Sequence, residues 1–89
     1  MRDMLDISVV WHHFAGEENF NIKASAVTFE NNLGSFDILP THANLISALF
    51  NSMKVYVPGQ KEALYSFGNG IVETSNNRVL IFLEPKASQ

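Results

Sequence analysis

Three histidines, His12, His13 and His42, are the first candidates for chemistry. Three imidazoles suit zinc, and a single one titrates near pH 6.5 and can move a proton. The spacing argues against both roles. His12 and His13 are adjacent, and neighbours on a strand point to opposite faces, so they share an ion only if the segment is a loop. His42 follows Pro40 in turn-like sequence, with no partner placed beside it, and reads as a turn histidine or part of a contact surface. Ser47, Ser66 and Thr41 lack a Gly-x-Ser-x-Gly frame that would activate a hydroxyl. Gly68-Asn69-Gly70 leads into a strand pattern rather than a helix N-terminus, so a bulge or tight turn is expected there instead of a phosphate cradle. Glu17-Glu18, the one close pair of carboxylates, lies in polar sequence and should be solvated. We expect no catalytic residue, no metal site and no cofactor.

The composition narrows the field in the same direction. Eighty-nine residues hold one domain with one modest core, and at 46% hydrophobic against 17% charged the chain can fold without a partner. Six Lys+Arg against nine Asp+Glu give a net charge of −3, scattered without a run, which leaves no basic face for nucleic acid. The absence of cysteine removes disulfides, thiolate zinc sites and thiol nucleophiles together. No apolar run approaches the roughly 20 residues of a membrane span, and Asp3 and Asp6 in the opening residues are unlike a cationic signal sequence. A cytosolic bacterial or organelle-encoded product is the simplest expectation.

The elements behind these residues are strands. Ile7, Val9 and Trp11 alternate with Ser8 and Val10, committing one face to a core. Phe20, Ile22, Ala24 and Ala26 alternate in a longer run that continues through Val27-Thr28-Phe29 to a turn at Asn31-Asn32-Leu33-Gly34. Phe36-Asp37-Ile38-Leu39 must stop at Pro40. Leu45–Phe50 is apolar except at Ser47 and fits a buried strand better than a short helix in this company. Met53–Val57 and Ala63–Phe67 flank a Pro58-Gly59 turn and read as a hairpin. Gly70–Ser75 and Arg78–Leu83 flank Asn76-Asn77, a pair suited to the positive φ of a two-residue hairpin turn. Val79-Leu80-Ile81-Phe82-Leu83 is apolar on both faces, which places it centrally, or with one face against another chain. The expected fold is all-β: a two-sheet antiparallel sandwich or flattened barrel of seven to ten short strands, one domain over 1–89 with strands about 5–84 and a short tail at 85–89.

Read in order, Gly34-Ser35-Phe36-Asp37-Ile38-Leu39-Pro40-Thr41-His42-Ala43-Asn44-Leu45, then Gly68-Asn69-Gly70-Ile71-Val72-Glu73, then Asn77-Arg78-Val79, resembles the N-terminal β-sandwich domain of the epsilon subunit of F-type ATP synthases, called delta in mitochondria. That family typically shows Gly-Glu-Phe-Gly-Ile-Leu-Pro-Gly-His-Ala-Pro-Leu, later Ser-Gly-Gly-Phe-Val-Glu-Val, then a closing Asn-x-Val-Thr-Val strand. The likeness covers nearly the whole chain. Ser35 stands where the family has an acid, Asp37 and Thr41 where it has glycines, and Asn44 where it has a proline. His12-His13 falls where the family has a shorter link between its first two strands.

The resemblance implies a non-catalytic central-stalk subunit, docking on gamma and the c-ring to couple rotation to ATP synthesis, on the cytoplasmic face of the bacterial inner membrane and bound to that membrane only through the complex. In the family one side of the sandwich lies on gamma, and its end, including the loop matching Asn31-Asn32-Leu33-Gly34-Ser35, reaches polar loops of the c-ring. It marks Asn31, Asn32, Leu33, Ser35, Phe36, Thr41, His42 and Asn44 as interface candidates. Ser35 in place of the acid weakens an ionic contact to a c-ring arginine. The usual C-terminal pair of regulatory helices has no counterpart before Gln89, so inhibition is not expected. Ten aromatic residues, more than a small sandwich hides, supply skin for a neighbour. The competing readings are a stand-alone sandwich that binds a different protein, and a small metal enzyme built on His12, His13 and His42.

Overall fold

The computed structural model describes residues 3–41 and 44–86, and among them there are seven strands and no helix. The strands are β1 (Leu5–His13), β2 (Gly16–Ala24), β3 (Ala26–Asn31), β4 (Gly34–Ile38), β5 (Leu45–Tyr56), β6 (Ala63–Ser75) and β7 (Arg78–Glu84). They form one hydrogen-bonded sheet in the order β2-β1-β7-β6-β5-β3-β4, antiparallel except for the first and last strands of the chain, β1 and β7, which run parallel.

That single sheet folds over itself into two layers. Ser25 alone separates β2 from β3, yet these strands sit at opposite ends of the sheet order, so the ends must meet. Ser25 fixes the corner by donating both its N–H (2.8 Å) and its hydroxyl (3.0 Å) to the Tyr56 carbonyl. Phe20 on β2 and Tyr65 on β6 lie three strand positions apart, about 14 Å on a flat sheet. Their ring centroids are 5.7 Å apart. β5 and β6 run through both layers and bend together: Phe50 pairs with Asn69 and Ser52 with Ser66, so Asn51 stands opposite both Phe67 and Gly68. Asn51 takes the bend with a φ of 74°, a conformation asparagine tolerates. A Cβ on Gly68 would lie 2.4 Å from the Pro85 carbonyl oxygen, so the bend admits no side chain there.

The extra residue on β6 has a consequence for the core. Before the bulge the odd residue Phe67 points inward; after it the even residues Val72 and Thr74 do. Both halves of β6 therefore feed one core, with Leu5, Ile7, Val9, Val27, Phe29, Ile38, Leu49, Met53, Val55, Val79, Ile81 and Leu83 all essentially without solvent contact. Burying each large member is worth about 1.5–3 kcal/mol.

The expected all-β sandwich is what the chain forms, with details the alternation did not carry. The long strand expected from Phe20 to Phe29 is two strands meeting at Ser25, across which the inward positions shift from even to odd. The runs 45–50 and 53–57 are one strand, as are 63–67 and 70–75, each pair joined across the bend. Both hairpins are present, and Asn76 and Asn77 have φ of 52° and 64°. β7 is central, between β1 and β6.

Candidate functional site

The outward face of the layer formed by β2, β1, β7 and the bent halves of β6 and β5 is the feature that sets this surface apart. Strand register aligns its residues in rows. One row runs Ala48, Ile71, Phe82, Val10, Asn19; its neighbour runs Ile46, Glu73, Leu80, Ser8, Asn21. Four consecutive residues of the first row are apolar, and Ile46 and Phe50 flank them on β5. Ile46 is 72% exposed, Ile71 52%, Phe82 44% and Phe50 36%. Ala48, Phe50, Gly70, Ile71 and Phe82, together with Asn69 and Glu84, line a shallow groove of about 300 Å³. The backbone beneath is tight: a Cβ on Gly70 would meet the Phe82 carbonyl oxygen at 2.4 Å. Contiguous exposed apolar surface of this kind makes the row a candidate contact site for another macromolecule.

The same face turns polar toward β2. His12 lies between two carboxylates, with Nδ1 2.8 Å from Glu84 and Nε2 2.9 Å from Glu17, so each ring nitrogen serves a different strand. The hydrogen bond to Glu84, and after it the bond to Glu17, raise its pKa above the ordinary 6.5. Asp6 accepts from Asn21 at 2.7 Å and pairs with Lys23 at 3.2 Å, and these contacts, the Asn21 bond foremost, hold its carboxyl below the usual range. Asp6, Ser8, Glu73, Ser75, Arg78 and Leu80 border an open groove of about 750 Å³, in which the carboxylates and the guanidinium are all on the rim of solvent.

His12 and His13 do not converge on one ion. β1 extends through His13, so His12 and His13 point to opposite faces: His13 stacks on Trp11 at 5.1 Å and approaches Glu18 at 3.2 Å. Among the described residues no group of three or more His, Asp or Glu side chains is arranged to hold a metal. His42 lies outside the described residues.

The interface candidates named from the sequence divide between two ends of β4. At one end is the β3–β4 tip, where Asn31 Oδ1 accepts the Leu33 N–H at 2.8 Å, Asn32 and Ser35 are exposed, and Leu33 projects with 90% of its surface free. Phe36, the next inward residue, packs half-buried against Phe29 with centroids 5.6 Å apart. At the other end Thr41, with φ 66°, donates its N–H to Asn77 Oδ1 at 2.6 Å, and Asn44 Oδ1 accepts the Asn76 N–H at 3.4 Å. Thr41 and Asn44 thus clasp the β6–β7 turn. The sequence reading named none of Ile46, Ile71 or Phe82 as site residues. Its available signal was the double-sided apolar character of 45–50 and 79–83.

The family described as ATP synthase, Delta/Epsilon chain, beta-sandwich domain matches residues 15–85. No curated protein matches the chain by sequence. Among solved structures, a chain of the central stalk/c-ring structure of the Tetrahymena thermophila mitochondrial ATP synthase is similar, with a TM-score of 0.65 and 18% identity over 88% of this chain and 63% of that one. A chain of the Euglena gracilis mitochondrial ATP synthase, in an OSCP/F1/c-ring structure, gives a TM-score of 0.68 and 16% identity over 92% of this chain and 51% of that one. At these identities the likeness is one of fold, and the chain spans between about half and two thirds of the length of the chains it matches.

Proposed function

Since the chain belongs to the ATP synthase delta/epsilon family through its β-sandwich domain, we propose that it is a non-catalytic subunit of the central stalk of an F-type ATP synthase. It docks on gamma and the c-ring and helps couple rotation to ATP synthesis. The observation that carries this reading is the open apolar row Ala48, Ile71, Phe82, Val10 on a chain of this family. That row is the surface assigned to gamma. The β3–β4 tip, with Asn31, Asn32, Leu33 and Ser35, is assigned to the polar loops of the c-ring; Phe36 supports it from below, and Thr41 and Asn44 extend the contact surface at the other end of β4, with His42 assigned to it from the sequence alone.

The mechanics favour such a role. A shaft coupling must transmit torque without deforming, and a two-layer body whose core side chains are fully enclosed is stiff. The subunit does no bond chemistry, and its own preparation should neither hydrolyse ATP nor inhibit the ATPase. Membrane association comes through the complex alone, on the side that carries the catalytic head, which in a bacterium is the cytoplasmic face. Whatever the longer matched chains do outside the sandwich is no part of this reading.

Co-expression with the gamma subunit of the same organism tests it. The two should co-purify, and titration should give a dissociation constant in the micromolar range or tighter. Failure to bind that gamma at micromolar concentration rejects the assignment.

A further inference from the structure

Independently of the family reading, the free edge of β2 is self-complementary. β2 ends the sheet order and pairs only with β1 along its length, leaving the outward-turned backbone donors and acceptors of alternate residues in a nine-residue strand on its other side. Edges of this length are normally blunted by charge, and Glu17, Glu18 and Lys23 are the charges here. Their placement does not repel a second β2. In an antiparallel pair that overlaps over the whole strand, Gly16 falls opposite Ala24, Glu17 opposite Lys23, Glu18 opposite Ile22, Asn19 opposite Asn21, and Phe20 opposite itself on a two-fold axis. The register of full overlap is also the one that brings Glu17 to Lys23, twice by symmetry. Sliding the pair by one step of the ladder in either direction sets both charges against asparagine or the end of the strand.

We propose that two copies of this chain associate through their β2 edges in that register, forming one continuous sheet across a two-fold axis. The row that crosses the interface supports the pairing further. Within one copy Arg78 lies beside Asp6, and Lys23 pairs with Asp6 at 3.2 Å; within the other His12 bridges Glu17 at 2.9 Å and Glu84 at 2.8 Å. Joined, the row reads Arg78, Asp6, Lys23, then Glu17, His12, Glu84 of the second copy, with the sign alternating at every step when His12 is protonated. Opposite charges directly across strands stabilise a sheet and like charges weaken it. The neighbouring row sets Asn21 against Asn19, two amides able to bond each other. On the inner face Phe20, half-buried and stacked on Tyr65, meets its own copy at the axis. The other sheet edge lacks this property: full overlap of β4 sets Ser35 against Asp37 and Gly34 against Ile38, with no opposite charges.

The isologous geometry gives a test by exchange. Sedimentation of the intact chain over roughly 10 µM to 1 mM, the range of weak small interfaces, should show a monomer–dimer equilibrium. Glu17→Lys alone and Lys23→Glu alone each face like with like, and each should sediment as a monomer. Mixing the two variants restores opposite charges at both crossings. The introduced lysine then faces the introduced glutamate, and the unchanged Lys23 of one chain faces the unchanged Glu17 of the other. The mixture should therefore dimerise when neither component does. Circular dichroism checks that each variant is folded. A second reading uses the cysteine-free background: chains carrying Asn19→Cys and chains carrying Asn21→Cys should form a disulfide with each other, and neither should do so alone. A chain that stays monomeric to about 1 mM overturns the proposal. So does a dimer that both single charge variants leave intact, or one in which the two thiols fail to link.

Discussion

The two halves of the outward sheet face share rows, backbone and twist, and differ in what they leave to solvent. Toward β5, β6 and β7 the rows carry Ile46, Ala48, Ile71 and Phe82, apolar and without a covering layer, with Glu73 the charged residue between Ile46 and Leu80. Toward β1 and β2 the same rows end in Asn19 and Asn21, with Glu17 and Lys23 in the rows on either side, where every charged side chain has a cross-strand partner. Water satisfies the second half and not the first. A sheet that needed only to be soluble would make both halves alike, so the contrast supports setting the proposed stalk contact on the β5–β7 side. The β2 side is left for the proposed contact between copies, which forms and dissolves.

The largest expected effect comes from disturbing the backbone that aligns the apolar row. Gly70→Ala puts a methyl carbon against the Phe82 carbonyl oxygen and the Leu83 side chain, a contact with backbone that cannot swing away. It should cost about 3 kcal/mol in urea unfolding. The next test separates the halves directly. Ile71→Asp changes an exposed residue, so the melting temperature should move little, while affinity for gamma should fall by tenfold or more, about 1.4 kcal/mol. Asn19→Asp places the same charge at the other end of the same row and should leave gamma binding unchanged. Equal losses from both variants would erase the distinction between the halves.

A smaller effect concerns the turn that holds β7 beside β1. Asn77 has φ 64°, accepts the Thr41 N–H through its side chain, and lends its carbonyl to the Asp6 N–H at 2.8 Å. Asn77→Ala keeps the last bond, loses the first and strains φ; about 1–2 kcal/mol should be lost in thermal unfolding. Asn77→Gly, which relieves the strain, should lose less.

The sequence announced that turn plainly, because two asparagines between alternating runs leave few backbone solutions. It announced the sandwich too, since alternation in segments without helical stripes demands a second layer. What it concealed are the places where alternation changes phase. From Phe20 to Phe29 the pattern reads as one strand, and only the closure of the sheet at Ser25 shows that Ala24 and Val27 both face inward. Likewise the bulge at Gly68 turns Phe67 and Val72 to the same core, and no local propensity marks a one-residue insertion. The apolar row was half legible for the same reason. Leu45–Phe50 and Val79–Leu83 are apolar at every or nearly every position, which says that one side is left over, not which side. Register decides that Leu49, Ile81 and Leu83 go in, and Ile46, Phe82 and Ile71 go out.

The smallest effect separates the halves by titration. His12 has a raised pKa in the folded chain, so what its two carboxylates contribute is fully present below the ordinary value of 6.5 and is lost as pH rises through the folded value. Asp6 has a lowered pKa, so its contribution is present above its ordinary 3.8 and is lost as pH falls through the folded value. Both groups are open to solvent, where ion pairs are worth little, and salt should weaken them further. Between about pH 6 and about pH 8.5 the urea midpoint should fall slightly for the intact chain, and His12→Gln should remove that part of the slope. The groups facing His12 are Glu17 from β2 and Glu84 from β7, which repel each other once the imidazole is neutral. Ala48, Ile71, Phe82 and Val10 carry no ionisable group, and Glu84 is the one ionisable side chain that lines their groove, so gamma affinity should change little over the same interval for both chains. A pH slope in gamma binding that disappears with His12→Gln would mean that the charged row belongs to that interface, and the boundary between the two halves would have to move toward β2.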